Sequence, residues 1–155
     1  EKYQVLGDTV WELTMWVYLG AAENIAGNYS KALESYLHAL KLENYYFDSL
    51  DYHSREKADY NTRGDILNGI GNVNMRLGNY DKSREYYLQA REVFMELGDT
   101  IDIANVHNNL GNTYLRIGEF DRAMEYYLEG LKYTGDDTFD RQRSLLYSNI
   151  GNVYW

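Results

Sequence analysis

Apolar side chains recur along this chain with the spacing of amphipathic helices. One clear set is Val106, Leu110, Tyr114 and Ile117. Their intervals of four, four and three residues place them on one face of an α-helix. Gly118 then interrupts the pattern, and Asp121 stands where an N-cap residue is expected, as do Ser30 and Asp81 elsewhere. The pattern therefore predicts a helix that ends at a tight turn.

A second apolar face follows this turn. It is formed by Met124, Tyr127, Leu128 and Leu131. Because these positions are related as i, i+3, i+4 and i+7, they predict another helix. The two helices then form an antiparallel pair, in which we expect Gly111 to face the small residues Ala123 and Gly130 and to allow close backbone approach.

The same unit recurs along the chain. Glycines stand at positions 20, 71, 111 and 151, so that the intervals between them are 51, 40 and 40. Further matched positions carry glycine at 27, 78 and 118, an aromatic residue at 29, 80 and 120, and tyrosine at 36, 87 and 127. One helix pair cannot bury both of its faces, so neighbouring units must stack.

These units predict an all-α chain in a single domain, residues 1–155. The predicted helices are 8–26, 29–46, 57–77, 80–97, 100–117, 120–134 and 140–155. They form units at 8–46, 57–97, 100–134 and a partial unit at 140–155, with an insertion near 47–58. The insertion is interpreted as a tolerated loop, or alternatively as a contact element built on Tyr45, Tyr46, Phe47 and Tyr52.

Both ends of the chain interrupt the repeat. Residues 6–9 repeat the sequence of residues 97–100, so residues 1–6 are interpreted as the tail of an earlier second helix. Trp155 falls in the middle of a predicted first helix. We therefore expect a piece of a longer solenoid that self-associates through its exposed ends.

Composition narrows the range of functions. The chain of 155 residues contains no proline and no cysteine, which favours helices and excludes a disulfide scaffold, a thiolate metal site and a cysteine nucleophile. A net charge of −9 makes nucleic acid an unfavourable partner. No apolar run is long enough to cross a membrane. No signal peptide opens the chain, and the expected location is the cytoplasm.

Residues that could support catalysis are few. The three histidines, His38, His53 and His107, lack the spacing of metal ligands, and His107 is expected to pack against a neighbouring helix. No nucleophile elbow, phosphate loop or dinucleotide fingerprint is present in the sequence. We therefore expect no enzyme activity, no cofactor and no metal.

The repeat resembles the tetratricopeptide repeat family. The third unit matches that family's signature at Leu110, Gly111, Tyr114, Gly118, Phe120, Ala123, Tyr127 and Gly130, and Trp16 matches its leading aromatic position in the first unit. Glu23 and Asn74 depart from the pattern, since both replace the mid-helix tyrosine. The period of the repeat is similar to that of Pins-type scaffolds, kinesin light chains and bacterial signalling proteins. The resemblance implies a right-handed α-solenoid whose first helices line a concave groove.

Asparagine and arginine recur on one face of the predicted first helices. This asparagine face comprises Asn68, Asn72, Arg76, Asn108, Asn112 and Arg116. Residues at intervals of four share a helix face, and an amide side chain can donate to and accept from a peptide backbone. The arginines would add charge-assisted hydrogen bonds to carboxylates. A purely structural role, in which the asparagines bond a neighbouring unit, remains open.

The sequence therefore predicts a protein–protein interaction module that binds an extended, acidic peptide segment in its groove. The alternative is a regulatory or dimerisation arm of a larger signalling protein, such as a sensor kinase or a transcription regulator. Sequence flanking the two ends would distinguish these functions, because a signalling or DNA-binding domain there would favour the second.

Overall fold

The fold is all-α. The computed structural model describes residues 2–49, 61–135 and 141–153, and those residues contain helices and no strand. The helices are α1 (Lys2–Ile25), α2 (Tyr29–Ser49), α3 (Asn61–Arg76), α4 (Tyr80–Leu97), α5 (Thr100–Arg116), α6 (Phe120–Leu131) and α7 (Arg141–Val153). The first helices of the units are α1, α3, α5 and α7, and the second helices are α2, α4 and α6.

Tight turns join the two helices of each complete unit. Gly78 and Gly118 adopt φ angles of 78° and 80°, a left-handed conformation that L side chains rarely tolerate. The backbone N–H of the residue after each glycine donates to a carbonyl five residues earlier, as in the 2.9 Å bond from Asn79 to Asn74. The next helix begins directly afterwards, which produces the antiparallel pair that the sequence predicted.

The predicted N-caps Asp81 and Asp121 are wrong by two positions, because the N-cap residues are Asn79 and Glu119. The second helices begin at Tyr29, Tyr80 and Phe120, so Asp81 and Asp121 lie inside the first helical turn instead of before it. A carboxylate in this turn still interacts favourably with the partial positive charge of the helix N-terminus. The predicted starts of the second helices at residues 29, 80 and 120 are confirmed, and only the N-cap positions are wrong.

A tyrosine of the second helix packs against the glycine of the first. A Cβ atom added to Gly71 would lie 2.6 Å from Cδ1 of Tyr87, and one added to Gly111 would lie 2.6 Å from Cδ1 of Tyr127. The side chain nearest to Gly111 is therefore Tyr127, and Gly130 lies against His107 and Leu146 instead of Gly111. An aromatic ring occupies the space that the absent side chain leaves.

The units stack because each second helix packs between two first helices. Tyr36 of α2 contacts Gly20 of α1 and Gly69 of α3, and Phe94 of α4 packs against Gly64 of α3. The described first helices also contact one another along the chain, which leaves them in one layer and the second helices in the other. The predicted stacking of units into a solenoid is confirmed.

Glu43 and Arg63 form an ion pair between α2 and α3, on either side of the predicted insertion. The Glu43 side chain is almost fully buried, and a buried carboxylate without its partner would be strongly destabilising. The ion pair therefore fixes the relative position of the two helices. Helix α2 continues to Ser49. The rest of the predicted insertion, including Tyr52, lies outside the described residues.

The first helix contradicts the predicted break at its start. Helix α1 runs without interruption from Lys2 to Ile25, whereas the match to residues 97–100 predicted a new helix at residue 8. At Gly98 the helix ends in a left-handed C-cap with a φ angle of 70°, whereas Gly7 lies within a continuous helix. A matching tetrapeptide is therefore not enough to end a helix. The sixth predicted helix is too long at its C-terminal end. Helix α6 ends at Leu131, and residues 132–134, which were predicted to be helical, form turns.

Candidate functional site

Asn72 and Asn112 occupy equivalent positions and make equivalent hydrogen bonds. The hydroxyl of Tyr87 donates to Asn72 Oδ1 at 2.7 Å, and the hydroxyl of Tyr127 donates to Asn112 Oδ1 at 2.8 Å. Both bonds join the two helices of one unit. The oxygen of each amide therefore faces its own helix pair, and the amide nitrogen remains available to donate elsewhere.

Both tyrosine hydroxyls are protonated at neutral pH, and burial raises the pKa of each further above its usual value. Burial raises the pKa of Tyr127 to about 12. It also raises the pKa of Tyr87, where a hydrogen bond with Ser83 and the charge of Arg76 act in the opposite direction. A protonated hydroxyl donates, so the asparagine oxygens act as acceptors at neutral pH.

Asn68 and Asn108 make a different contact, which links neighbouring units. Asn109 Nδ2 donates to Asn68 Oδ1 at 3.0 Å, and Asn149 Nδ2 donates to Asn108 Oδ1 at 2.6 Å. The structural alternative raised from the sequence therefore describes Asn68 and Asn108. Asn109 and Asn149 were missed, although they lie one repeat period apart in the sequence.

Arg76 and Arg116 lie in the last turns of α3 and α5. Both side chains are exposed, and neither forms an ion pair with another residue in the described parts of the chain. A cation in the last turn interacts favourably with the helix C-terminus. The structure thus places Asn72 with Arg76, and Asn112 with Arg116, as two copies of one arrangement along the first helices.

The first unit lacks this arrangement. Val17 and Ala21 occupy the positions of Asn68 and Asn72 in α1. Glu23, which stands where Asn74 stands in unit two, accepts a hydrogen bond of 2.6 Å from Asn28 Nδ2. The asparagine face therefore belongs to α3 and α5.

A concave pocket lies over α5 between α4 and α6. It is a cavity of about 370 Å³ lined by Arg91, His107, Tyr114, Arg122, Glu125, Tyr126 and Glu129. Tyr114 stacks on Tyr126 with ring centroids 5.2 Å apart, and Arg84 and Arg122 approach the Tyr114 ring at 5.2 and 5.5 Å. This cluster was not predicted, because its members come from three different helices.

His107 packs at the floor of this cavity, as predicted. Its ring stacks on Tyr133 at a centroid distance of 5.4 Å, and Nδ1 lies 2.9 Å from the carbonyl oxygen of Ile103. Burial lowers its pKa, which keeps the imidazole neutral. Across the described ranges, histidine and the acidic residues form no group of three that could hold a metal ion.

Residues 62–133 match the family model of the tetratricopeptide repeat. These residues span units two and three, just under half of the chain. Together with the stacked helix pairs, the match supports a tetratricopeptide repeat family and confirms a repeat solenoid of this type. Nothing in the comparisons assigns the chain to the subgroup of Pins-type scaffolds and kinesin light chains.

Many solved structures are similar to this chain, and two of them are described below. BtubC (BKLC) from P. vanneervenii aligns with a TM-score of 0.74 and 25% sequence identity over 92% of this chain and 55% of that one. The present chain therefore spans about half the length of BtubC. A TPR-like protein from Chlorobium tepidum TLS aligns with a TM-score of 0.70 over 97% of this chain and 99% of its own, and its 12% identity shows the fold alone.

No curated protein matches the sequence. Tetratricopeptide repeats generally mediate protein–protein interaction, and repeat proteins of this kind are generally scaffolds without enzymatic activity. None of the helices in the described ranges has the length and apolar character needed to span a lipid bilayer.

Proposed function

We propose that the asparagine face of the tetratricopeptide repeats binds an extended, acidic peptide segment of a partner protein, without catalysis. The observation that carries the proposal is the repetition of one donor arrangement in two successive units. In each unit a tyrosine hydroxyl engages the asparagine oxygen, at 2.7 Å for Asn72 and 2.8 Å for Asn112.

The orientation of each amide determines what it can recognise. Because Oδ1 already accepts a hydrogen bond, Asn72 and Asn112 offer N–H groups to an incoming ligand. An extended peptide advances by about 3.3 Å per residue. Each residue carries one backbone carbonyl, so the acceptors recur at regular intervals along the peptide. Two fixed donors in successive units therefore suit a peptide backbone better than a compact ligand.

The arginines determine the preferred charge of the peptide. Arg76 and Arg116 are exposed positive charges beside the two asparagines, on a molecule whose net charge is −9. A carboxylate is attracted at short range and repelled by the whole protein at greater distance. We therefore expect slow association that low salt accelerates only weakly.

The test uses a fluorescently labelled, unstructured peptide with glutamate at alternate positions, measured by fluorescence anisotropy. The double variant Arg76→Ala, Arg116→Ala should weaken its binding about three- to tenfold, the range for exposed ion pairs. The matched control is Lys31→Ala, Lys82→Ala, which removes two exposed charges from the second helices and should leave affinity unchanged. Equal affinities for both variants would exclude the arginines from the site.

A second variant tests the asparagine donors separately. Asn112→Asp keeps an oxygen for the Tyr127 hydroxyl and removes the amide donor. It should weaken an uncharged peptide of the same length about fivefold, the value of one lost hydrogen bond, while the melting temperature stays near that of the parent protein. Loss of thermal stability without loss of affinity would show that Asn112 serves only the helix pair.

A further inference from the structure

The cavity over α5 contains a buried cationic donor that lacks a partner. Arg91 of α4 lines this cavity of about 370 Å³, and its Nε atom is buried without a hydrogen-bond partner among the described residues. A buried donor on a charged group costs free energy when it stays unpaired, so native proteins rarely leave one unmatched. An acceptor that enters the cavity removes this cost.

The equivalent gap between units one and two is filled by apolar packing. Leu40 of α2 and Leu67 of α3 stand where Arg91 and His107 stand one unit later. Leu40 packs against the core cluster that contains the buried Leu67. Leu131, the counterpart of Arg91 in α6, also packs against a core cluster. Two of the three second helices thus carry leucine at this position, and unit two carries a cation instead.

Ion pairs within the protein balance two of the four charged residues that line the cavity. Arg122 pairs with Glu119, and Glu129 pairs with Lys132. The other two are Arg91 and an exposed glutamate, neither of which forms an ion pair with a described residue. A ligand with one negative charge therefore balances Arg91, whereas a second negative charge on the ligand is repelled by the carboxylates of the wall.

Aromatic rings lie beside Arg91. Its charge adds to burial in lowering the pKa of His107, and it opposes the burial that raises the pKa of Tyr126. The guanidinium group of Arg91 is therefore close to both rings. Tyr126 also stacks on Tyr114, with ring centroids 5.2 Å apart. These rings give the cavity a flat apolar wall, on which another aromatic ring packs favourably.

We propose that this cavity binds a small aromatic monocarboxylate, whose carboxylate accepts hydrogen bonds from Arg91 and whose ring packs against Tyr126. A guanidinium group matches a planar carboxylate with two parallel N–H donors. The volume of about 370 Å³ lies near the lower end of ligand cavities, roughly 300–1,000 Å³, so it suits a compound with one ring and is too small for a helix of a partner protein.

The cavity is separate from the asparagine face. At about 3.6 residues per turn, Asn112 lies on nearly the opposite side of α5 from Tyr114. A ligand in the cavity therefore does not touch a peptide bound along the asparagines. Because one ion pair and one ring supply the affinity, we expect dissociation in the millimolar range.

Benzoate is the probe, and two-dimensional ¹H–¹⁵N NMR of the intact 155-residue chain is the measurement. The Nε–Hε signal of Arg91, identified by its loss in Arg91→Lys, reports directly on the unpaired donor. Benzoate should shift this signal to saturation. Benzamide has the ring without the charge, and acetate has the charge without the ring, so each should bind at least about tenfold more weakly. An Arg91 signal that stays unchanged up to the solubility limit of sodium benzoate would overturn the proposal.

Two variants locate the bound probe, which is followed by saturation transfer from the protein to benzoate. Arg91→Leu should abolish binding and stay folded, because Leu40 and Leu131 occupy the equivalent positions, and circular dichroism checks the fold. Tyr126→Leu should weaken benzoate about three- to tenfold and leave acetate unaffected. Benzoate that binds Arg91→Leu as tightly as the parent protein would lie at another site and would refute the proposal.

The arginines of the asparagine face supply the matched control. The double variant Arg76→Ala, Arg116→Ala should bind benzoate as the parent protein does, and Arg91→Leu should bind the glutamate peptide as the parent protein does. An acidic peptide that displaces benzoate from Arg91 would contradict the proposal, because the cavity would then be part of a peptide site. The cavity and the asparagine face are thus tested independently of each other.

Discussion

Units two and three are built on the same two contacts and differ in what surrounds them. In both, a first-helix glycine receives a tyrosine ring, and the hydroxyl of that tyrosine bonds an asparagine of the first helix. Two neighbouring positions differ. Unit two has Leu67 and Asn74 where unit three has His107 and Tyr114, and all four side chains are buried.

The difference shows which contacts hold one unit together and which connect units. Asn74 stays within its own helix pair, where it donates to the carbonyl of Ile70 at 2.9 Å and accepts from Asn79. Tyr114 instead stacks on Tyr126, and the guanidinium group of Arg84, from the preceding second helix, lies over the Tyr114 ring. The shared glycine–tyrosine contact therefore builds the helix pair, and the variable position determines how unit three packs against its neighbour.

The largest effect is expected where the two units are alike. Gly71→Leu and Gly111→Leu each force four heavy atoms into a space that a tyrosine ring occupies, so each should cost more than the ~1–3 kcal/mol of ordinary overpacking and unfold its unit. The control is Gly151→Leu in α7, since a Cβ atom there meets nothing within 4 Å. Melting followed by circular dichroism measures the effect, and an unchanged midpoint for Gly111→Leu would refute the close contact.

A smaller effect is expected where the two units differ. Tyr114→Asn gives unit three the residue of unit two and removes a buried ring with its stacking and cation–π contacts. It should destabilise the protein by about 2–3 kcal/mol. Tyr114→Phe retains the ring and should cost under about 0.5 kcal/mol, since it loses only a 3.5 Å contact between the hydroxyl and Arg122. Urea denaturation measures both variants, and similar losses for the two would assign the stability to the hydroxyl.

The smallest effect is a pH dependence confined to unit three. Burial lowers the pKa of His107 below its usual value of 6.5. The unfolded chain therefore binds this proton more readily, and stability should fall as pH drops below 6.5. His107→Leu, which copies Leu67, should reduce that loss. Urea midpoints at neutral and mildly acidic pH measure it, and the exposed His38→Gln variant should behave as the parent protein. If His107→Leu loses as much stability at acidic pH as the parent protein does, the proton responsible binds to another group.

The repeat made the helix pairs predictable, but packing decided several of their boundaries. Glycines one repeat period apart, followed by a second glycine and an aromatic residue, located the turns at Gly78 and Gly118. The same reasoning failed at Gly7, where a matching tetrapeptide lies within the continuous helix α1. At Gly98 the same tetrapeptide does end a helix, with the glycine in the left-handed conformation.

The candidate site was predicted as a face but not as a set of contacts. Helical periodicity was enough to align Asn72 with Arg76 and Asn112 with Arg116. It could not show that Tyr87 and Tyr127, each 15 residues further along, engage the asparagine oxygens. An amide side chain has several donors and acceptors, so its orientation depends on partners that only folding brings near.

By itself, the sequence determined the all-α class, the helix pairs and the direction in which the residues of each helix point, because these follow from local periodicity and from the conformational freedom of glycine. Only the tertiary structure decided that a tyrosine fills the space beside Gly71 and beside Gly111. It also decided that Asn68 and Asn108 bond the next unit, and that Met15 and Leu19 are exposed whereas their counterparts in α3 and α5 are buried. The physical reason is that an apolar residue in one helix is buried only where another helix covers it, and the sequence of the first helix alone does not specify that neighbour.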